Sequence, residues 1–280
     1  MTRLLTYVLL GFLTVPLLAA PALAGPRAEL WPRWLQQDPS STLTVDHSAW
    51  AAFLARHVHT GTDGVNRVDY GEGDSQDRAL LQGYLAAMAA VPVSRLNRDE
   101  QGAYWINLYN ALTVEVVLEH YPVASIRDID ISPGLFSQGP WRRKLITVEG
   151  EAISLDDIEH HILRPIWRDP RMHYALNCAS VGCPNLQPQP YTGENLSHAL
   201  DLAAMAYVNS PRGLHFEDGK LCVSSIYMWY IDDFGGDDAG VIRHLMAYSE
   251  PSLAMRLQTL DEIDRHEYDW RLNDATKGGH

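Results

Sequence analysis

The stretch that decides the fold is Asn97-Arg98-Asp99-Glu100-Gln101-Gly102-Ala103-Tyr104-Trp105-Ile106-Asn107-Leu108-Tyr109-Asn110-Ala111-Leu112-Thr113, which runs on to Glu119 before Tyr121-Pro122. Asn97 followed at the third position by Glu100 is a capping pair that opens a helix. A residue preceding proline is pushed out of the helical region, which closes it. The spacing predicts one helix over about 97–119. Its middle is aromatic and apolar nearly all round, as in a helix buried on every side. Asn107 and Asn110 interrupt that surface, three residues apart and on one face. A buried carboxamide left unpaired costs about 1–3 kcal/mol. Each asparagine therefore needs a partner, in a structural hydrogen-bond clamp or in a catalytic group.

Upstream, Asp46 can cap a helix with the stripe Trp50, Phe53, Leu54, His57 and Val58, and a short strand fits 65–70. Ser75 opens a second helix that Pro92 ends. Downstream, 144–148 and 151–153 flank Glu149-Gly150 as strand, turn and strand. Ser154-Leu155-Asp156-Asp157 opens a further helix, closed by Pro165. A short strand is expected over 172–177. An alanine-rich helix fits 194–209, and Asp218-Gly219 marks a hairpin. Helices follow near 226–234, 241–248 and 252–260. The pattern is that of an α+β fold: a single helix-rich domain, 46–274, with a small, mainly antiparallel sheet. A loose lead-in, 25–45, precedes it and a tail, 275–280, follows.

The chain has 280 residues, of which 46% are hydrophobic and 20% charged, enough for a sizeable core and too apolar for disorder. Its net charge of -13 argues against coating nucleic acid, which needs a basic face. Residues 1–24 have the three parts of a secretory signal: a positive start at Arg3, an apolar run broken by Gly11 and Pro16, and Ala22-Leu23-Ala24 as a cleavage site. The rival reading, an uncleaved anchor, has an apolar run short for a bilayer. No later run is long and apolar enough to span a membrane after cleavage. A periplasmic or secreted protein is expected, its thiols exposed to an oxidising compartment.

Glu159, His160 and His161 sit in the helix that Ser154 opens. Successive helical residues point about 100° apart, so at most one of the two histidines faces the core. That one is either a general base or a core histidine satisfied by a carbonyl. Cys178 is expected where the short strand meets the small-residue loop Cys178-Ala179-Ser180-Val181-Gly182-Cys183-Pro184. A thiol is mostly protonated at neutral pH and needs a base or dipole to react. His160 is the candidate base and His173 the alternative, with Asn107 and Glu159 as orienting groups. Asn110, His173, Asn177 and Ser180 are candidate binding residues. Three other readings of Cys178 stand beside this: a disulfide to Cys183, a small buried hydrophobe, or a metal site with Cys183 and a histidine. The last lacks a paired C-x₂-C. Asp232, Asp233, Asp237 and Asp238 around Gly235-Gly236 lack EF-hand spacing and read as solvated loop acids. Phosphate-loop, dinucleotide and GxSxG motifs are absent, and neither a cofactor nor a metal is expected.

Tyr104 to Thr113, Ser154 to His160, His173-Tyr174-Ala175-Leu176-Asn177-Cys178-Ala179-Ser180 with Cys183-Pro184, Trp229 to Phe234 and Tyr268 to Asn273 together resemble the family catalogued as domain of unknown function 547. One departure is Gly182, where bacterial members often carry Ser. The resemblance implies a soluble domain and no established activity. Asn107, Asn110, Glu159, His160 and Cys178 coincide with the family's signature positions. The residues themselves suggest an exported cysteine-dependent hydrolase or acyl transferase acting on an amide or ester of a small-molecule or peptide ligand. The alternative is a non-catalytic periplasmic binding or interaction module with a hydrogen-bonded polar core.

Overall fold

Ser48–His57 forms α1, and its C-terminal His57 passes directly into β1, Val58–Thr60, which pairs antiparallel with β2, Asn66–Val68. Val58 thus leads a strand rather than extending the helical stripe. Ser75–Ala89 forms α2, packed between α1 and the long α3, Arg98–His120. The structure is a computed structural model, and it describes residues 25–71, 75–134 and 138–277. The expected leader, 1–24, and residues 278–280 of the tail lie outside the described residues.

The helix α3 opens as its cap predicts, with the Asn97 side chain accepting from the Glu100 N–H at 2.9 Å. All positions from Glu100 to Leu118 are buried. The Glu100 carboxylate does not turn back to close a capping box. It accepts from the N–H groups of Val45 and Gly193, tying two distant loops to the start of the helix.

Residues 25–45 are not a loose lead-in, which corrects that expectation. Trp34 is 2% exposed and meets Trp105 edge-on at 4.9 Å, so burial of a large aromatic ring holds the segment down. The segment also hydrogen-bonds to the helix that follows Ser154. Glu29 and Trp31 donate their N–H groups to the carbonyls of His160 and His161, each at 2.9 Å. The His160 carbonyl is free for a local reason. Asp157–Leu163 is wound as a π-helix, with each acceptor serving the N–H five residues on. For His160 that residue is Pro165, which has no N–H to donate.

The hairpin of β3, Ile146–Val148, and β4, Glu151–Ile153, turns through Glu149 and Gly150, both at positive φ. Ser154 and Asp157 then exchange bonds as a capping box. The π-helix runs into α4, Arg164–Trp167. The strand expected over 172–177 is instead a 3₁₀ turn, Pro170–Tyr174. Asp169 caps it and Pro170 holds its first position, and these helix-start signals outweigh the short apolar run.

Beyond it come α5, Leu196–Val208; β5, Leu214–Glu217; β6, Lys220–Ser224; α6, Ser225–Trp229; α7, Asp238–Tyr248; and α8, Pro251–Leu257. Asp218 and Gly219, both at positive φ, join β5 to β6 as an antiparallel hairpin. A strand that sequence patterning missed, β7 at Arg265–Glu267, adds parallel to β6. The fold is therefore α+β, helix-rich, with small and mainly antiparallel sheets. One core surrounds α3, with Trp50, Phe53 and Trp105. A second, rich in tyrosine, gathers Tyr174, Tyr207, Tyr227 and Leu245 beside β6 and α7. Among the described residues no helix is long and apolar enough to cross a membrane.

Candidate active site

The loop 177–184 is held from three sides. Asn110 reaches it from α3, donating to the Ala175 carbonyl at 2.9 Å and accepting the Asn177 N–H at 2.8 Å. Asn177 spans the loop, donating to the Pro184 carbonyl at 2.8 Å and accepting the Ala179 N–H at 3.0 Å. From the C-terminal segment, Asn273 donates its N–H to the Ala179 carbonyl, and Val181 and Gly182 bond the backbone of Arg271 and Asp269. At Gly182 a Cβ would stand 2.7 Å from the Asp269 backbone nitrogen, so the close approach requires glycine. Between these ties Ala179, fully buried, sits at φ +57, a left-handed conformation that is costly for a residue with a Cβ. Such strain persists only where the surroundings impose it. It turns the chain sharply at the residue after Cys178.

Cys178 is half-buried and its sulfur is closely attended. The Cys183 sulfur lies 2.8 Å away, the Tyr268 hydroxyl 3.0 Å and the Ser180 hydroxyl 3.3 Å, while Ser180 and Tyr268 are 2.8 Å apart. Two hydroxyl protons serve three contacts. With Cys178 ionised, one hydroxyl donates to the other and the second to sulfur, and the Cys183 S–H also donates. The bond from Cys183 pulls the Cys178 thiol below its ordinary range against the effect of burial, and the two hydroxyls add to it. Burial pushes the Cys183 thiol well up. All three cysteines are free in this structure.

His160 and His173 have different surroundings. His160 is buried, with its Nδ1 accepting from Arg164 Nη1 at 3.1 Å. Its proton is therefore on Nε2, which lies 3.8 Å from Asp156 Oδ1. Burial lowers its pKa to about 4. His161 is more exposed and donates outward to the Glu29 carbonyl, so one histidine faces in, as the spacing predicts. His173 lies 2.7 Å through Nε2 from Asp233 Oδ2 and stacks on Tyr230 at 4.4 Å. Its Nδ1 stands 3.8 Å from Glu159, whose other oxygen accepts from the Tyr109 hydroxyl at 3.2 Å. Asp233 also accepts from Arg164 Nε at 2.5 Å. Burial raises the Asp233 carboxyl, but the bonds from His173 and Arg164 outweigh it and hold it at about 2. Burial, and then Glu159, push Asp156 up to about 6.

Cys178, Glu159, His160 and His173 line one cavity of about 580 Å³ at the meeting of the two cores. Trp141, Trp229, Tyr230 and Trp270 wall it, with Gly25 and Pro26 at one side. No hydrogen bond joins His160 to Cys178 among the described residues. Asn107 does not reach either group: it brackets Tyr191, accepting its N–H and donating to its carbonyl, and contacts His47. That is the structural clamp rather than an orienting amide. Asn110, Asn177 and Ser180 hold or touch the Cys178 loop as described. Asp233, read as a solvated acid, is instead the partner of His173. Asp237 caps α7, and Asp238 accepts the Ile263 N–H. Sequence spacing held no signal for Tyr268 or Arg164. The described residues hold one group of His, Cys and acidic ligand atoms within 4.8 Å of one another: His215, Cys222 and Glu267, none of which lines the cavity.

Among known proteins, neither a curated sequence nor a solved structure matches the chain. A family model does match, over residues 93–208, and its description reads "Protein of unknown function, DUF547". That segment includes α3 with Asn107 and Asn110, the π-helix with Glu159 and His160, and the loop from Cys178 to Cys183. Over residues 93–208 the chain is thus similar to the DUF547 family of proteins of unknown function.

Proposed function

We propose that the cavity is a cysteine-dependent active site in which Cys178 attacks the carbonyl carbon of an amide or ester. The observation that supports this best is the Cys178 sulfur itself. It accepts hydrogen bonds from Cys183 and the Ser180–Tyr268 hydroxyl pair in a cavity wall shared with a histidine held by a carboxylate. His173, not His160, is the acid–base group in this reading. Its Nε2 is engaged by Asp233, leaving Nδ1 to take the thiol proton and return it to the leaving amine or alcohol. His160 has its basic nitrogen occupied by Arg164 and serves the wall of the site. The acyl group passes to Cys178 and then to water or a second acceptor. The four aromatic walls suit a small molecule or peptide carrying a flat or apolar group. With 1–24 read as a removed leader, the reaction takes place in the periplasm or outside the cell.

The test is acylation by a panel of chromogenic esters and amides, read by intact mass and by turnover. Cys178→Ala should abolish the covalent adduct, and His173→Gln should lower turnover about 10²–10⁴-fold. His160→Gln should stay within about tenfold. Turnover that survives in Cys178→Ala overturns the proposal. The same walls also suit binding alone. Wild type forming no adduct, with ligand affinity unchanged in Cys178→Ala, would return the chain to the non-catalytic module.

A further inference from the structure

In acyl transfer the sulfur of Cys183 does no more than donate a hydrogen bond, yet it is the nearest of the groups bonded to the Cys178 sulfur. The two lie 2.8 Å apart, and a disulfide needs about 2.05 Å, so closing the bond asks for a shift of about 0.8 Å. The loop is built to keep them so. The Asn177 side chain ties its two ends together, Cys183 N–H bonds the Ser180 carbonyl, and Arg212 Nη1 donates to the carbonyls of Val181 and Cys183. The pair is unequal. Both line the cavity, but Cys178 is half-buried whereas Cys183 is 3% exposed. The Cys178 backbone N–H also points at the Cys183 sulfur, at 2.9 Å, and would stabilise negative charge forming there.

We propose that Cys178 and Cys183 are a redox-active pair that reduces disulfides entering the cavity, with Cys178 as the attacking sulfur and Cys183 as the resolving one. The inference rests on Cys178 being the reactive sulfur of the site, but not on acyl transfer. In the first step the Cys178 thiolate attacks one sulfur of a substrate disulfide. A bond to Cys178 forms, the substrate S–S bond breaks, and one substrate thiolate leaves. That thiolate, or Glu159 in the same cavity, takes the Cys183 proton. The Cys183 sulfur then attacks Cys178, the mixed disulfide breaks, and the second substrate thiolate leaves and is protonated. Two electrons have passed from the pair to the substrate, and the product is the Cys178–Cys183 disulfide. The hydrogen bonds at Cys178 favour it as a leaving thiolate when an external thiol reopens that bond, which keeps the disulfide exchangeable. Tyr268 and Ser180 supply the same effect in both directions. Cys222 stands apart on β6, opposite His215, and takes no part.

The experiment is reaction of the reduced full chain with oxidised glutathione, followed by acid quenching, alkylation and peptide mapping. Wild type should release two glutathione molecules per chain and yield the Cys178–Cys183 disulfide. Cys183→Ser should release one and accumulate a glutathione adduct at Cys178, at least tenfold above wild type. Cys183→Ala serves the same comparison, and thermal melting of both variants confirms folding. An adduct at Cys178 that persists in wild type as it does in the variants overturns the pair. So does a wild-type Cys178 that alkylates readily but forms no bond to Cys183. A Cys178 inert to every electrophile fails both this inference and the acyl-transfer reading. Exchange that works while no acyl adduct ever forms sinks only the latter.

Discussion

Asp233 Oδ2 lies 2.7 Å from His173 Nε2, across 60 residues of chain, and also accepts from the buried Arg164. This one carboxylate joins the second core to the wall of the cavity. It fixes the plane of the His173 ring between Asp233 and the face of Tyr230. Arg164 in turn reaches from Asp233 to His160 and to the Pro26 carbonyl, so Asp233, His173, Arg164 and His160 form one connected set.

Asp233→Asn should therefore cost stability as well as activity. Arg164 and His173 have side chains only 5% and 3% exposed, and both would lose a carboxylate. The loss should be about 3–5 kcal/mol at pH 7. The folded carboxyl is held at about 2, below its ordinary 3.8. Its contribution is present above pH 4 and is lost as pH falls from 4 to 2, by about 2 kcal/mol. Urea unfolding of wild type and variant should show a gap that narrows over that window. A gap independent of pH would contradict the assignment.

Below neutrality the whole molecule should lose stability. Burial holds His47, His160 and His244 at about 4 in the fold. Unfolded, they titrate near 6.5, so each contributes stability present above pH 6.5 and lost as pH falls to 4. Asp156, held at about 6, acts oppositely: its contribution is present below about pH 4 and lost as pH rises through 6. Near pH 5 unfolding should take up a net of about two protons, and stability should fall by about 2–3 kcal/mol per pH unit on acidification. Equilibrium unfolding at half-unit steps from pH 4.5 to 6.5 measures that slope, and a flat profile would be inconsistent with buried neutral histidines.

Asn110→Leu separates the frame from the chemistry. It leaves the Ala175 carbonyl and the Asn177 N–H without partners next to the Cys178 loop. A loss of about 2–4 kcal/mol is expected in thermal or urea melts. Folded variant should also show slower alkylation at Cys178, because Asn177 then ties the loop from one side only. A neutral substitution would place the asparagine outside the frame of the site.

What the sequence made legible was local. The Asn97 cap, the Ser154–Asp157 box and the Asp218-Gly219 hairpin each depend on residues within a few positions, and each forms where spacing predicts. The all-round burial of α3 follows from its composition, as do the partners its asparagines need. The base of the site was not legible in the same way. His173 and Asp233 pair across 60 residues, and Tyr268 meets Cys178 across 90. Nothing in the spacing distinguishes Asp233 from the other acids around Gly235-Gly236. Asp157–Leu163 also reads as an ordinary amphipathic helix. Its π-winding shows only in which carbonyls are left for the N-terminal segment to bond.

The central claim is that the hydrogen bonds around Cys178 stabilise its thiolate form. Its most direct measure is the iodoacetamide rate at Cys178 in the reduced full chain, located by peptide mass, from pH 5 to 10. The inflection should fall below the ordinary cysteine value of about 8.5. It should move upward in Tyr268→Phe, with the rate at pH 7 reduced about fivefold, the worth of one hydrogen bond near 1 kcal/mol. An inflection at or above the ordinary value, unmoved by Tyr268→Phe, would show that the hydroxyls do not hold a thiolate and would contradict the account.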